Sequence, residues 1–168
     1  MITASVVTFH TSYVDLKRLL DCVLHSSIDI FFIIDNSSND SLREFASLSD
    51  KIVYIHSDNL GFGSGHNIAI RRSIELGAQY HAVINPDIYW EGDVAKLLAG
   101  FMDKQEDCGL VMPKVLYPNG DIQYLCKLLP TPMDLFGRRF IPFKAYQEKH
   151  DAWFELHRTG YAKVMEIP

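Results

Sequence analysis

Four short runs of mainly β-branched and apolar residues, at 3–9, 28–34, 51–56 and 80–84, each stop abruptly at polar or glycine-rich residues. The first leads through Ser12 and Asp15, a capping-box pattern, to Leu16, Leu19, Leu20, Val23 and Leu24 at helical spacing. The third leads through a glycine-rich stretch into a segment bearing Ile70 and Ile74 and closed by Gly77. Strands alternating with helices predict an α/β fold, a mostly parallel sheet flanked by helices. In such sheets ligands bind outside the carboxyl ends of the strands, so the polar stretches at 35–40, 59–67 and 85–87 are expected to face one crevice.

Further along, Val94, Leu97, Leu98, Phe101 and Met102 predict another helix, and 110–112 another buried strand. The sequence PNGD at 118–121, flanked by 114–117 and 122–125, predicts a hairpin. Residues 127–168 break the alternation: they hold three internal prolines, the pair Arg138 and Arg139, and seven aromatics including Trp153 and Phe154. Charge divides at the same place, with 9 basic and 16 acidic residues in 1–126 but 7 and 5 in 127–168. The expectation is a single domain with its core in 1–126 and a differently surfaced region in 127–168. The final VMEIP reads as an element just beginning, so a truncated end is expected.

Several classes are excluded on composition. Apolar runs such as 30–34 fall far short of the roughly 18 residues a bilayer helix needs. The N-terminus lacks the basic start of a secretory signal, which points to the cytoplasm. A net charge of −5 argues against general nucleic-acid affinity. Cys22, Cys108 and Cys126 are too few and scattered for a disulfide framework or zinc site, and the seven histidines show no metal-ligand spacing.

The three strand-end stretches carry the chemistry. DNSSND at 35–40 is rich in hydrogen-bonding side chains, and on composition alone it is a helix cap. NLGFGSGHN at 59–67 lacks the third glycine of a dinucleotide fingerprint and the Lys-Ser/Thr of a P-loop. Backbone amides in a glycine-rich turn before a helix nevertheless suit an anionic diphosphate, whereas a tight turn accounts for one or two glycines better than for three. NPD at 85–87 is, by itself, a turn.

Taken in order with SVVTFH at 5–10 and IIDNSSND at 33–40, these motifs resemble the family-2 glycosyltransferases of the GT-A fold. The likeness covers most of 3–125 and extends loosely to LCKLLPTP at 125–132, which is similar to bacterial members that build O-antigen, capsule or other surface polysaccharides, many of them rhamnosyltransferases. The resemblance implies a nucleotide-diphosphate sugar donor, linked to UDP, GDP or dTDP, and a saccharide or lipid-linked acceptor. It implies that base and ribose meet Thr8, Phe9, His10, Asp35, Asn36 and Ser38, where many members have a second acid at the position of Asn36. It implies that the diphosphate or sugar approaches Asn59, Gly61, Gly63, Gly65 and Asn67. Asn85 and Asp87 fall where the family places its Asp-x-Asp, with Asp87 the ligand for Mg²⁺ or Mn²⁺. The carboxylate base that an inverting transfer requires matches nothing in 127–168 and is expected beyond Pro168. Residues 127–168 would then begin the acceptor side, where basic and aromatic side chains suit peripheral contact with the inner membrane face. Two other readings stand beside this one. A non-catalytic nucleotide-sugar-binding module fits the missing base, while a Rossmann oxidoreductase fits poorly because no glycine follows the first strand.

Overall fold

In the computed structural model, which describes residues 1–125, 128, 144–155 and 157, the first strand, β1 (Ile2–Thr8), is the most deeply buried element. Its neighbours are β2 (Ile30–Asp35) on one side and β4 (Tyr80–Ile84) on the other, and β3 (Ile52–His56) pairs with β2, all parallel. The chain steps from β1 to β2 to β3 and then crosses back to place β4 on the far side of β1. The strand order therefore reverses between β1 and β4, and the carboxyl ends there form the topological switch point.

Alternation along β1 sorts the two faces. Ala4 and Val6 join Phe31, Ile33 and Ile52 in the larger apolar cluster, covered by α1 (Tyr13–Leu24) through Leu16, Leu19, Leu20 and Val23 and by the 3₁₀ helix Ser41–Leu48 through Leu42 and Phe45. Ser12 does stand at the N-cap of α1, but its hydroxyl makes no cap bond; only its carbonyl accepts from the Leu16 N–H, at 3.1 Å. The opposite face carries Thr3, Ser5 and Val7 and is covered by α2 (Phe62–Glu75). The helix forms where the sequence places it, but its buried face is made of residues other than Ile70 and Ile74. Ile74 is 71% exposed, and the residues α2 buries are Gly65, His66, Ala69 and Ser73.

The reason is a polar contact that takes the place of an apolar one. Ser73 Oγ bonds the Ala69 carbonyl at 2.8 Å and Thr3 Oγ1 at 2.9 Å, His81 Nδ1 lies against both hydroxyls, and Ser5 Oγ sits 2.8 Å from both His81 Nε2 and His66 Nδ1. Burying these groups is tolerable because each meets a partner inside. The helix then ends as the sequence suggests. Gly77, at φ +70°, donates to the Ile74 carbonyl and Ala78 to that of Ser73, the paired bonds of a left-handed glycine stop.

After β4, Asp93 caps α3 (Val94–Met102) by accepting from the Lys96 N–H at 3.1 Å, and it also takes the Ser27 N–H at 3.0 Å. The buried strand expected at 110–112 is absent, and Leu110 is 89% exposed. With Gly109 before it and Pro113 after it, this apolar run pairs with no neighbouring strand. The chain forms two compact units, Met1–Val111 and Met112–Pro168. In the second, β5 (Val115–Leu116) and β6 (Ile122–Gln123) make the expected hairpin, closed by Gly120 at φ +89°. α4 (Lys144–Phe154) follows, and its Phe154 carbonyl accepts from the Leu128 N–H at 2.9 Å. Cys126, Phe136, Phe140, Phe143, Arg138 and Arg139 lie outside the described residues. No helix among the described residues is long and apolar enough to cross a membrane.

The buried histidines make stability depend on pH. Burial, with a smaller contribution from His66, lowers His81 to about 4, and burial lowers His66 as well. Both are neutral in the folded chain and gain protons more readily when unfolded, so stability is complete above about pH 6.5 and is lost as pH falls toward 4. The loss from His81 should be on the order of 2 kcal/mol, after allowance for its partial exposure. Urea unfolding midpoints between pH 7 and 4 will show this decline, and His81→Gln should flatten it; an unchanged slope in that variant would remove His81 as the cause.

Candidate functional site

At the carboxyl end of β1, Thr8 lies opposite Asp35 at the end of β2. The Asp35 carboxylate is wholly buried. Its Oδ1 accepts from Thr8 Oγ1 and from the Ser37 N–H, both at 3.0 Å, and its Oδ2 accepts from Tyr54 Oη of β3 at 2.7 Å. Burial alone pushes this carboxyl up, but the bonds from Tyr54, Ser37 and Thr8 outweigh it and hold Asp35 below its ordinary value. Burial and the Asp35 carboxylate in turn push the Tyr54 phenol well up. With three donors around it and no exposed surface, this carboxylate braces three strand ends and lies beneath the surface a ligand would meet.

The loops it braces carry the exposed groups. The Asn36 N–H donates to the Thr8 carbonyl, and Ser57 Oγ donates to Asn36 Oδ1 at 2.9 Å. Ser37 Oγ takes the His10 N–H at 3.0 Å, and its carbonyl lies 2.8 Å from His56 Nε2. His10 adopts a left-handed φ of 53°, unusual for a residue with a Cβ, and its ring meets that of Phe9 edge-on at 4.4 Å. Phe9, His10 and Ser38 face solvent, whereas Thr8, Asp35 and Asn36 lie beneath them. Thus the six residues expected to meet base and ribose split into an exposed surface and a buried support.

The three glycines of the 59–67 turn prove to have three different reasons. Gly61 is the N-cap of α2 at φ +92°, ψ 165°, a conformation essentially confined to glycine, and its N–H bonds Asn59 Oδ1 at 3.1 Å. At Gly65 an added Cβ would lie 2.7 Å from Val7 Cγ2, so this glycine lets α2 rest on β1. At Gly63 an added Cβ would meet nothing within 4 Å, so no feature of the described chain excludes a side chain there. Because α2 has no side-chain cap, the N–H groups of Phe62, Gly63 and Ser64 have no acceptor among the described residues, and these residues are exposed. Free amides at the positive end of a helix dipole favour an anion. Asn67 is exposed on α2 and is bonded to none of the other candidates.

Pairing of Val6 with Ile84 brings the NPD turn out beside the end of β1, across the switch point from β2. Asn85 and Asp87 are exposed, and the Asn85 carbonyl accepts from the Ile88 N–H at 3.3 Å. The described residues contain no group of three or more His, Cys, Asp or Glu able to hold a metal ion. Asp87 stands as a single exposed carboxylate, and in general one carboxylate can serve a magnesium ion when phosphates and waters complete its shell.

One residue of the 59–67 stretch was given no role by sequence reasoning. His66 opens the second turn of α2, 3% exposed, with Nδ1 on Ser5 and Nε2 without a partner among the described residues. The signal was in β1, where Thr3 and Ser5 alternate with Ala4 and Val6 in a wholly buried strand. Polar side chains on one face of a buried strand require partners from the element that covers it.

The family model described as Glycosyl transferase family 2 matches residues 5–164. The chain belongs to glycosyl transferase family 2. It is 30% identical over 118 residues to the low-salt glycan biosynthesis hexosyltransferase Agl10 of Haloferax volcanii, spanning 68% of this chain and 37% of that protein. The crystal structure of S. aureus TarS superimposes with a TM-score of 0.50 at 14% identity, covering 70% of this chain and 24% of that one. This second likeness is one of fold, and it agrees with the GT-A arrangement of the parallel sheet and its flanking helices.

The three roles within the family-2 glycine turn can be separated by stability. Gly61→Ala should cost about 1–3 kcal/mol through its forbidden backbone angles. Gly65→Ala should cost a similar ~1–3 kcal/mol through the clash with Val7. Gly63→Ala should leave stability unchanged or raise it by up to ~1 kcal/mol. Urea midpoints of the three variants decide the matter, and a Gly63→Ala loss equal to that of Gly61→Ala would contradict the open space at 63.

Proposed function

We propose that this chain is the donor-binding part of a hexosyltransferase that takes up a nucleotide-diphosphate sugar at the switch point between β1 and β4. The observation that carries the reading is the first turn of α2: three exposed, unbonded N–H groups beside the one glycine, Gly63, that neither backbone nor packing requires. Those amides would take diphosphate oxygens. The ring of Phe9, with His10 and Ser38, would receive base and ribose on the surface that Thr8, Asp35 and Asn36 support. Asp87 would hold Mg²⁺ or Mn²⁺ with the donor's phosphates, and Asn85 would contact the same group. When bound, such a cation neutralises the charge that develops on the departing diphosphate.

The same geometry limits what this chain does by itself. Asp35 is unsuited to remove the acceptor proton, because both its oxygens are occupied and it is held below its ordinary value. The proposal therefore assigns donor capture to the core and the acceptor side to 127–168. The acceptor in this reading is a growing surface polysaccharide or lipid-linked glycan, the transfer inverts the anomeric centre, and rhamnose carried on dTDP is the first sugar to try. A binding module without transfer would share the donor pocket and lack the acceptor chemistry.

Calorimetric titration with UDP-, GDP- and dTDP-sugars, each with Mn²⁺ and with EDTA, tests the reading. One nucleotide series should bind, more tightly with metal. Asp87→Ala should remove the metal dependence and weaken binding about tenfold, a change of about 1.4 kcal/mol. Gly63→Ala, stable by the preceding measure, should weaken the diphosphate-containing ligands. Binding that is equal with Mn²⁺ and EDTA would remove Asp87 from the site, and no binding of any nucleotide would overturn the donor reading.

A further inference from the structure

The hydrogen bonds between α2 and β1 run in one direction, and that direction fixes the chemistry of His66. Ser73 Oγ gives its proton to the Ala69 carbonyl at 2.8 Å, and Thr3 Oγ1 gives its own to Ser73 Oγ at 2.9 Å. His81 Nδ1 lies 2.9 Å from Thr3 Oγ1 and 2.7 Å from Ser73 Oγ. A hydroxyl has one proton, and both of these are already committed, so the hydrogen in these contacts is on His81 Nδ1. A neutral His81 then has a bare Nε2, which accepts from Ser5 Oγ at 2.8 Å. Ser5 in turn has no proton left for its 2.8 Å contact with His66, so the hydrogen there is on His66 Nδ1. In neutral His66 the remaining nitrogen, Nε2, is therefore a lone-pair acceptor. It is buried and bonded to nothing in the described chain, a condition that disfavours the fold unless a ligand meets it.

The position of that nitrogen suggests what meets it. His66 opens the second turn of α2, four residues after Phe62 and directly beyond the first turn that holds the free amides and Gly63. Of its neighbours on this face of the sheet, Ser5 is paired across the strands with Val83 of β4, which is half exposed, so the space over β4 is open. Phe62, also half exposed, stands edge-on against the His66 ring at 4.4 Å. We propose that His66 Nε2 accepts a hydrogen bond from a hydroxyl of the bound nucleotide sugar, on its ribose or on the transferred hexose, when the Phe62 ring turns aside. The assignment rests on the donor-binding reading above. It makes His66 a specificity residue, since an acceptor in a buried site discriminates strongly between a ligand with the hydroxyl and one without it.

Long-range ¹H–¹⁵N correlation of the imidazoles in the full chain reads the tautomer directly. The expected result is a hydrogen on His66 Nδ1 and a bare Nε2 whose ¹⁵N resonance moves when the nucleotide sugar is added. His66→Asn keeps an amide near the Nδ1 position, facing Ser5, and removes Nε2. It should bind the sugar nucleotide about tenfold more weakly than the parent chain. An equal loss for the nucleoside diphosphate alone identifies the ribose as the source of the hydroxyl, and a loss confined to the sugar nucleotide identifies the hexose. A hydrogen found on Nε2, or parent-like binding by a folded His66→Asn, overturns the proposal and leaves the donor reading standing. Failure of the parent chain to bind any nucleotide overturns both. Should His66→Asn not fold, the tautomer and the ligand-induced shift in the parent chain still decide.

Discussion

α2 rests on β1 through a glycine, a histidine, an alanine and a serine, and the position of every amide at the crevice follows from that contact. Apolar burial on this face is modest, limited to Val7, Phe32, Ile34 and Ala69, against twelve buried residues in the cluster on the other face. Hydrophobic attraction has no direction, so a small apolar patch would hold the helix near the sheet without fixing its rotation. The bonds from Thr3 to Ser73 and between His66 and Ser5 do fix it, because each tolerates only a narrow range of distance and angle. Gly65 sets the height. With Val7 touching where its Cβ would stand, α2 lies close enough for its first turn to open directly at the carboxyl ends of β1 and β2.

This arrangement explains which parts of the structure were legible in the sequence. The strand ends were, because β-branched runs stop where Asp, Asn and Gly begin, and α1 was, because Leu16, Leu19, Leu20 and Val23 are its buried face. The buried face of α2 was not. Apolar periodicity assumes that the residues a helix hides are apolar, and it selected Ile70 and Ile74, whereas a helix that docks by hydrogen bonds hides Ser73 and His66 instead. The run at 110–112 misled for the opposite reason: apolar residues predict burial only if a neighbouring strand is present to pair with them. His66 was invisible because its meaning depends on Ser5, sixty-one positions away.

Two aspartates at or beyond the ends of strands on either side of β1 show how burial divides one residue type into two tasks. Asp35, with three donors around it, ties β1, β2 and β3 together, whereas Asp87 is exposed in the NPD turn. The amide at Asn36 belongs to the same logic. It is almost fully buried directly after a buried carboxylate, and a second negative charge there would repel Asp35 where the dielectric is low. As an amide it accepts from Ser57 with its oxygen and turns its nitrogen toward Gly65, which joins the β2 loop to the start of α2 without adding charge.

Neutrality serves the fold and the site together. Two imidazoles, His66 buried and His81 half-buried, share one serine, and after burial itself the neighbouring His66 disfavours a proton on His81. A proton gained by His81 would turn its Nε2 from acceptor to donor, oblige the Ser5 hydroxyl to point elsewhere, and reverse the bond to His66. The chain of contacts from Ser73 to His66 would then lose its single direction. The interaction that seats α2 on β1 and the one that keeps a lone pair at His66 Nε2 are therefore one network, and what disturbs the seating of the helix also changes the hydrogen-bonding sense of the crevice beside it.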